Sequence, residues 1–523
     1  NGIELDLSAV PQREDGMTAY EIMLSESQER MLIVAHRGRE RQVVDIFRKW
    51  DLDAVVIGRV TDTGNVVIKH HGEKLAEIPG PYLTDEAPRY ERPMRAPEGW
   101  VEVGRTEDEG HAIENPSSVK SSSDANELTG GASQVRSNVA SVVNSDELDE
   151  VLKAPGSVVS ASGEDHNESL RKLLAAPNVA SKEWVYRQYD HMVRTNTAVL
   201  PGADAAVVRI KETRRALAMC LDGNGRYCAV NPREGARLVV AEAARNVVCV
   251  GARPLAITNC LNFASPERPE VMWAFSEVID GMAEACRAFE TPVVSGNVSF
   301  YNETEGRGIH PTPVIGMVGL VEDVRRIVQH GFKREGHTVA LLGETGEDLA
   351  ASEYAATVEG RSLEEMRSVG RVPRLDLGRE RAVQAAALRA AEEGLLQSSH
   401  DCSDGGLGVA LAESCFSSHG RKGLGADVDL DGDAAASVTA HLFAESPSRI
   451  VVSFEESARA RLEEIAAQAG CPFRVIGRVG GGDLSISVRG KECVRQDVNE
   501  LENVWRTALG GRLRVAALAA AAE

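Results

Sequence analysis

Closely spaced cysteine pairs are missing from this sequence. Its nine cysteines lie no closer together than Cys220 and Cys228, so the chain contains no CxxC pair. Structural zinc sites normally use closely spaced cysteine pairs, and disulfide frameworks are typical of short chains that are much richer in cysteine. The cysteine pattern therefore argues against both kinds of scaffold, and we expect a protein of a reducing compartment, the cytoplasm.

Basic residues and long apolar runs are also scarce. The 58 Lys and Arg residues are outnumbered by 79 Asp and Glu residues, and a net charge of −21 argues against a nucleic-acid-binding surface. The Ala-rich stretch Ala516–Ala522 is too short and too weakly apolar to span a membrane. The start, Asn1-Gly2-Ile3, has no basic signal-peptide region and no methionine, so we expect a fragment or a processed product.

The composition that remains is typical of a multidomain globular protein. With 523 residues, of which 43% are hydrophobic and 26% charged, the chain has room for two to four domains. Strand-like and helix-like stretches follow one another, which predicts an α+β fold. We expect an α/β domain at 1–100, a Ser-, Gly- and Asp-rich linker or disordered insert at 101–168, and further domains at 169–330 and 331–523.

Local patterns predict individual elements. Glu270–Phe289 has apolar residues at steps of three or four, which is typical of an amphipathic helix. Arg30–Val34 and Ile450–Phe454 are short apolar runs that predict strands. Asp146–Lys153, inside the insert, is predicted to be a short helix.

An internal repeat links the two ends of the chain. The segment Glu26-Ser27-Gln28-Glu29-Arg30 aligns with Glu445-Ser446-Pro447-Ser448-Arg449, and VIGRV at 56–60 aligns with VIGRV at 475–479. Both pairs are separated by 419 positions, so no gap lies between the two matches. We therefore expect 1–100 to be the latter part of a domain that 331–523 carries more completely.

The stretch Thr291–Thr304 is the first candidate for a binding site. Its first residues predict a buried strand that is interrupted at Ser295-Gly296-Asn297. Ligands commonly bind at the carboxyl ends of such strands. Glycine lets the backbone approach a phosphate, and Asn and Glu oxygens suit Mg²⁺. A polar β-turn without a ligand is an equally weighted alternative.

Three further stretches combine polar side chains with glycines or turns. Asp222-Gly223-Asn224-Gly225 matches no P-loop or dinucleotide fingerprint; a hairpin loop is favoured, and a metal–phosphate site is the alternative. His400–Gly406 precedes a predicted helix, Leu407–Phe416, so its acidic residues either cap that helix or supply a metal ligand, Asp401. Glu26-Ser27-Gln28 is either solvated helix surface or a substrate-binding element.

Several long sequence segments together resemble the phosphoribosylformylglycinamidine synthase family. They are WVYRQYDHMVRTNT (184–197), DGNGRYC (222–228), GARPLAITNCLNF (251–263), TPVVSGNVSFYNET (291–304), SHDCSDGGL (399–407) and YEIMLSESQERML (20–32). The resemblance covers nearly all of the chain outside 100–167. It implies an internally duplicated protein built from aminoimidazole-ribonucleotide-synthetase-like N- and C-domains. Residues 1–100 would then be a partial first C-domain, 169–330 the second N-domain and 331–523 the second C-domain.

The resemblance also implies an activity. Members of this family are ligases of purine biosynthesis that use ATP and Mg²⁺ to amidate formylglycinamide ribonucleotide. The substrate's amide oxygen is phosphorylated, and ammonia then displaces the phosphate. The implied partners are a glutaminase subunit, which supplies the ammonia, and a small bridging subunit, with no nucleic acid and no membrane.

Matching positions imply the roles of individual residues. The implied roles are substrate binding for Glu26, Ser27, Gln28 and Ser299, ATP contact for Asn259 and Gly296, and magnesium binding for Asn297. The catalytic histidines of the family's first N-domain have no counterpart here, so no catalytic residue is identified. Pro447 replaces a glutamine in the second copy, which resembles a pseudo-site holding a structural nucleotide. Asp222 and Asp401 would then belong to that site, and a non-catalytic nucleotide-binding or assembly module is the alternative function.

Overall fold

The computed structural model describes residues 1–12, 14, 16–25, 30–97, 100, 165–417, 421–430 and 436–520, with the side chains of 515–520 excepted. These residues form two compact units, Asn1–Glu91 (unit 1) and Arg92–Glu523 (unit 2). The predicted helix Asp146–Lys153 and nearly all of the predicted insert lie outside the described residues. Within the described ranges, no helix is long and apolar enough to cross a membrane.

Unit 1 is a four-stranded sheet with short helices. Its strands are β1 (Gly2–Asp6), β2 (Gly58–Thr61), β3 (Asn65–His70) and β4 (Glu73–Pro79). Its helices are α1 (Ala19–Leu24), α2 (Glu40–Arg48) and α3 (Gly80–Leu83). The strand order is β2-β1-β3-β4, and a small core of Leu7, Ile22 and Ile68 holds α1 against the sheet.

The first half of unit 2 is built on a six-stranded sheet. Its strands are β5 (Thr197–Val199), β6 (Ala206–Arg209), β7 (Ala216–Asp222), β8 (Arg253–Asn262), β9 (Val293–Ser299) and, after the hairpin β10 (Glu303–Thr304) and β11 (Arg307–Gly308), β12 (Thr312–Val321). The helices are α4 (His166–Leu174), α5 (Glu183–Tyr186), α6 (Gly225–Val230), α7 (Pro232–Cys249) and α8 (Pro269–Phe289). The order is β5-β6-β7-β12-β8-β9, and α7 packs against β7, β12 and α8.

The second half of unit 2 is built on a seven-stranded sheet. Its strands are β13 (Thr338–Leu342), β14 (Leu396–Asp401), β15 (Ala426–Asp429), β16 (Ile450–Phe454), β17 (Phe473–Val479), β18 (Asp483–Val488) and β19 (Lys491–Asp497), in the order β14-β16-β13-β17-β15-β18-β19. The helices are α9 (Leu363–Val369), α10 (Leu377–Glu392), α11 (Gly406–Cys415), α12 (Val438–Phe443), α13 (Arg459–Ala469) and α14 (Val498–Ala520). The mixture of helices and mixed sheets confirms the α+β prediction.

The strand pairing reproduces the repeat. In unit 2, β15 is antiparallel to β17 and parallel to β18, as β1 is to β2 and β3 in unit 1. Glu4 lies opposite Arg59, and Asp427 lies opposite Arg478. Glu4 and Asp427 are 423 positions apart, because the first copy is four residues longer between this strand and the following helix. Helices α1 and α12 are both six residues long and begin 419 positions apart. The two segments therefore share one fold over this part of the repeat.

The predicted strand Arg30–Val34 is wrong. The structure leaves these residues without regular secondary structure, and Met31 is 80% exposed. Its counterpart β16 is buried along its whole length because it pairs with β13 on one side and β14 on the other. The described residues of unit 1 contain no counterpart of β13 or β14. An apolar run without neighbouring strands cannot satisfy its backbone hydrogen bonds as a strand.

Strand β9 differs from its prediction in two ways. It runs without interruption through Ser295-Gly296-Asn297, because these residues pair with Thr258, Asn259 and Cys260 of the parallel strand β8. It is also exposed rather than buried, since it is the last strand of the six-stranded sheet and has a neighbour on one side only. The break predicted from Ser-Gly-Asn is therefore wrong, since pairing with β8 overrides the local turn preference.

Candidate functional site

A cavity of about 1090 Å³ lies within unit 2, where the end of β7 meets the loop between β14 and α11. Residues of α7, α11 and the segment 178–182 complete its walls. The polar side chains that line it are Asn178, Lys182, Asp222, Asn224, Arg226, Glu242, Asn246, His310, Thr312, Arg361, Ser403, Asp404 and Glu413. This volume is large enough for a ligand of nucleotide size.

Asp222 ends β7 and contributes a buried carboxylate to the cavity. Its Oδ1 accepts a hydrogen bond from the backbone N–H of Gly223 at 2.6 Å, whereas Oδ2 is buried without a hydrogen-bond partner among the described residues. Burial, with the nearby carboxylates of Asp404 and Asp401, raises the pKa of Asp222 to about 8. A buried carboxylate with an unused oxygen is suited to a cation.

The Asp222-Gly223-Asn224-Gly225 sequence is a junction between a strand and a helix. Oδ1 of Asn224 accepts a hydrogen bond from the backbone N–H of Tyr227 at 3.0 Å and so caps α6. The favoured hairpin interpretation is therefore wrong, because the Asn side chain starts a helix where a hairpin would return as a strand. Nδ2 of Asn224 donates a hydrogen bond to Oδ1 of Asp404 at 3.4 Å, and both residues line the cavity.

Helix α7 contributes two residues that the sequence analysis missed, Glu242 and Asn246. They lie four positions apart, and both line the cavity. Burial, with the carboxylates of Asp222, Asp401 and Asp404, raises the pKa of Glu242 well above its ordinary value. A usable signal was present, since Glu242 and Asn246 lie at helical spacing, with Arg245 between them, in an Ala- and Val-rich part of this helix.

Asp401 has a different environment from the one predicted. Nε of Arg245 donates to its carboxylate at 3.2 Å, and the same guanidinium pairs with Glu380 at 2.9 Å. Asp404, three positions later, lines the cavity, and Asp401 does not. Among the described residues, no group of three or more His, Cys, Asp or Glu side chains is arranged to hold a metal ion by itself. A cation here would need oxygens from a ligand or from water.

The basic side chains of the cavity differ in their availability. Arg226 is engaged by the protein, since it pairs with Glu353 at 2.7 Å and donates to the carbonyl of Ala351 at 2.8 Å. The Nζ atom of Lys182 donates to the carbonyls of Asn178 and Ala180, which accounts for two of its three N–H bonds. Burial lowers the pKa of Lys182. Lys182 is exposed as a residue, and its third N–H bond could be donated to a phosphate group in the cavity.

The residues predicted on β8 and β9 form a second group. Asn259 pairs with Gly296, and Asn262 pairs with Ser299, so the parallel register brings the predicted substrate and ATP contacts onto neighbouring strands. Asn297 follows Gly296 and is exposed, whereas the hydroxyl of Ser299 lies 3.3 Å from Oδ1 of Asn302. None of the predicted residues on these two strands lines the cavity.

The predicted substrate-binding residues Glu26, Ser27 and Gln28 lie outside the described residues. Their counterparts in the second copy, Glu445 and Ser446, are buried. The structure therefore describes this tripeptide only in the copy where Pro447 replaces the glutamine.

Two family models match the chain. The model of the AIR synthase related protein, N-terminal domain, matches residues 202–321. The model of the AIR synthase related protein, C-terminal domain, matches 1–71 and 334–489, which are the two copies of the repeat. Together these matches cover well over half of the chain.

Curated relatives and solved structures agree with the models. Phosphoribosylformylglycinamidine synthase subunit PurL of Moorella thermoacetica is 44% identical over 508 residues, which cover 97% of this chain and 61% of that protein. The same subunit of Anaeromyxobacter dehalogenans is 44% identical over 531 residues, which cover 98% and 61%. The chain thus spans about 61% of the length of these relatives.

Two Thermotoga maritima structures share the fold. The structure of PurL complexed with ATP has a TM-score of 0.53 and 22% identity, with 92% of this chain and 60% of that chain covered. The structure of PurL complexed with FGAR has a TM-score of 0.55 and 20% identity, with 65% and 54% covered. The two family models show that the chain belongs to the AIR synthase related family.

Proposed function

We propose that this chain is part of an ATP-dependent carbon–nitrogen ligase that amidates formylglycinamide ribonucleotide with glutamine-derived ammonia in purine biosynthesis. The observation that carries the proposal is 44% identity to the PurL subunit of Moorella thermoacetica over 97% of the chain. The substrate would be bound by Glu26, Ser27, Gln28 and Ser299, with Asn259 and Gly296 at the ATP and Asn297 at the magnesium ion. A glutaminase subunit and a small bridging subunit would be the partners, in the cytoplasm.

We place a second nucleotide, accompanied by Mg²⁺, in the cavity of unit 2. The residues fit such a ligand, because Asp222, Glu242 and Asp404 are half-buried carboxylates whose pKa values are raised, and a nearby cation would stabilise their charged forms. Mg²⁺ in proteins is commonly bound by one or two carboxylates together with phosphate oxygens and water. This preference agrees with a cavity that has several carboxylates but no complete metal site. The bound ion would neutralise the carboxylates and hold the phosphates.

The cavity would serve structure rather than turnover. Its copy of the repeat has Pro447 in place of the glutamine of Glu26-Ser27-Gln28, and Arg226, one of two arginines that line it, is already paired with Glu353. The nucleotide would instead join the six-stranded and seven-stranded sheets, since residues from both parts line the cavity. We also propose that the chain is divided into the domains 1–100, 169–330 and 331–523, with 101–168 as a linker. Each copy of the repeat would form one C-domain.

Two measurements on the 523-residue chain test these proposals separately. The first is ammonia-dependent ATP hydrolysis with formylglycinamide ribonucleotide. We expect no turnover from this chain by itself, because no catalytic residue is identified in it. Turnover would mean that the 523 residues contain a complete catalytic site. The second is acid extraction of the purified protein followed by nucleotide chromatography, and calorimetric titration with ATP and Mg²⁺. Absence of bound nucleotide together with absence of binding would contradict the structural site.

A further inference from the structure

Glu445 joins three segments of unit 2 through one buried carboxylate. Its side chain is 5% exposed. Oε1 accepts hydrogen bonds from the backbone N–H groups of Glu353 at 2.7 Å and Gly405 at 2.8 Å. Oε2 accepts a hydrogen bond from the hydroxyl of Tyr227. All three donors belong to the protein, so the carboxylate needs no ligand to satisfy it.

Each donor is next to residues that line the nucleotide cavity. Tyr227 follows Arg226 on α6 and is bonded through its backbone N–H to Asn224. Gly405 follows Asp404, one of the cavity carboxylates. A shift of the Glu445 side chain would therefore move two cavity walls together.

The third donor is also connected to the cavity. The side chain of Glu353 accepts from Asn178 at 2.9 Å and pairs with Arg226, and both of these residues line the cavity. The segment then enters a π-helical turn, Tyr354–Val358, whose Ala356 is another lining residue. Such turns are frequent at functional sites because they redirect side chains within a helix.

The second copy of the tripeptide is closed to substrate. Tyr227, Glu445 and Pro447 line a small neighbouring space of only about 10 Å³, which shares Asp404 with the cavity and holds at most one water. The hydroxyl of Ser446 is used as well, since it accepts from the backbone N–H of Gly346 at 2.8 Å. In this copy, the protein's own groups form the hydrogen bonds of Glu445 and Ser446. The corresponding residues of the first copy, Glu26 and Ser27, are proposed to bind a substrate instead.

We propose that Glu445 is a positioning residue, with Tyr227 as its internal partner, and that it holds the walls of the cavity in the arrangement that binds a nucleotide with Mg²⁺. A glutamate that binds substrate in one copy would thus have become a structural anchor in the other. This inference rests on the proposed nucleotide site and adds the residue that sets its geometry.

The test compares three variants by calorimetric titration with ATP and Mg²⁺ and by thermal unfolding. Glu445→Ala leaves three buried donors without an acceptor, and we expect the affinity to fall at least about tenfold. Glu445→Gln keeps an acceptor for the two backbone N–H groups and should bind within about threefold of the unmodified chain. Glu502→Ala is the matched control, because Glu502 is buried and bonded to Ser417 and Arg506 away from the cavity.

Equal losses of melting temperature in Glu445→Ala and Glu502→Ala with unchanged affinity in both would overturn the proposal. If Glu445→Ala does not fold, Tyr227→Phe replaces it, with an expected loss of about threefold to tenfold for one missing hydrogen bond. If the unmodified chain binds no nucleotide, the nucleotide site fails. Hydrogen exchange at Gly405 and Glu353 then decides, since faster exchange at both in Tyr227→Phe supports the anchor and unchanged exchange rejects it.

Discussion

Asn259 and Gly296 lie side by side in the parallel strands β8 and β9, so closely that a Cβ atom on Gly296 would overlap Oδ1 of Asn259. The same Cβ would lie 2.8 Å from the backbone oxygen of Asn259. The strands can pair in this register only because residue 296 has no side chain. The close approach also holds the two residues proposed to contact ATP against each other.

Gly296→Ala should therefore weaken the edge of the six-stranded sheet. We expect the free energy of unfolding of unit 2 to fall by about 1–3 kcal/mol, the usual cost of inserting atoms where none fit. Urea unfolding measures the loss, and the double variant with Asn259→Ala should recover part of it. Gly482→Ala is the control, since no atom lies within 4 Å of the added methyl group. A Gly296→Ala chain as stable as this control would refute the close approach.

Asp222→Asn should stabilise the ligand-free protein at alkaline pH and weaken nucleotide binding. The pKa of Asp222 is raised in the folded chain to about 8, mainly by burial, from 3.8. Folding therefore takes up a proton between these values, and the stability that depends on that proton is lost as the pH rises toward 8. The melting temperature of the variant should exceed that of the unmodified chain at pH 9 and match it near pH 4.

The same variant tests the proposed cation. Mg²⁺ should displace the proton from Asp222, so its affinity should rise with pH in the unmodified chain and rise less steeply in Asp222→Asn, where only Glu242 and Asp404 still release protons. Titrations in two buffers with different ionisation enthalpies measure the protons released. Glu463→Gln, on the exposed face of α13, is a control for loss of one acidic side chain. An unchanged affinity in Asp222→Asn would remove Asp222 from the binding site.

The sequence predicted elements well where local pattern and tertiary context agree. Glu270–Phe289 was predicted as a helix and is observed as Pro269–Phe289, because its apolar face repeats at helical spacing and Pro269 suits the first turn. Arg30–Val34 has the apolar pattern of Ile450–Phe454, but a strand also needs neighbours, which a local pattern cannot report. Edge position is equally invisible, which explains why the exposed β9 was predicted to be buried.

Local sequence signals also identified only part of the candidate site. Asp222 was identified because it is adjacent to glycines at a strand end, which is a local signal. Glu242 and Asn246 were missed because they enter the cavity from the middle of a buried helix. Asp404 lines the cavity and Asp401 does not, because Asp401 pairs with Arg245, which is more than 150 positions away in the chain. Only the folded chain shows which carboxylate remains free for the cavity.

His400→Gln should cost stability in a pH-dependent way. Nδ1 of His400 lies 2.9 Å from Oδ1 of Asp204, and Nε2 lies 3.0 Å from Oε2 of Glu413. Burial by itself would lower the pKa of His400, but the two carboxylates outweigh it and raise the pKa well above 6.5. The stabilisation is therefore complete below pH 6.5 and lost as the pH rises through the raised value.

We expect His400→Gln to lower the free energy of unfolding by about 3 kcal/mol at pH 6, because the buried carboxylate of Asp204 and the half-buried carboxylate of Glu413 lose their charged partner. Denaturant unfolding at pH 6, 7.5 and 9 measures the difference, which should shrink toward the highest pH. His337→Gln is the comparison, since burial lowers the pKa of His337 and its effect should have the reverse pH dependence. A deficit for His400→Gln that is the same at every pH would argue against a charged histidine.

The helix caps of the repeat offer a test of its two copies. Thr18 and Ser437 lie 419 positions apart and start α1 and α12, accepting hydrogen bonds from the backbone N–H groups of Glu21 and Ala440. Replacement of either cap by alanine should cost about 1 kcal/mol, whereas Ser437→Thr, which installs the residue of the other copy, should cost less than about 0.5 kcal/mol. Because the caps belong to separate compact units, Thr18→Ala should speed hydrogen exchange in α1 and leave α12 unchanged, and Ser437→Ala should do the reverse. Exchange that accelerates in both helices with either variant would mean that the two copies unfold as one cooperative body.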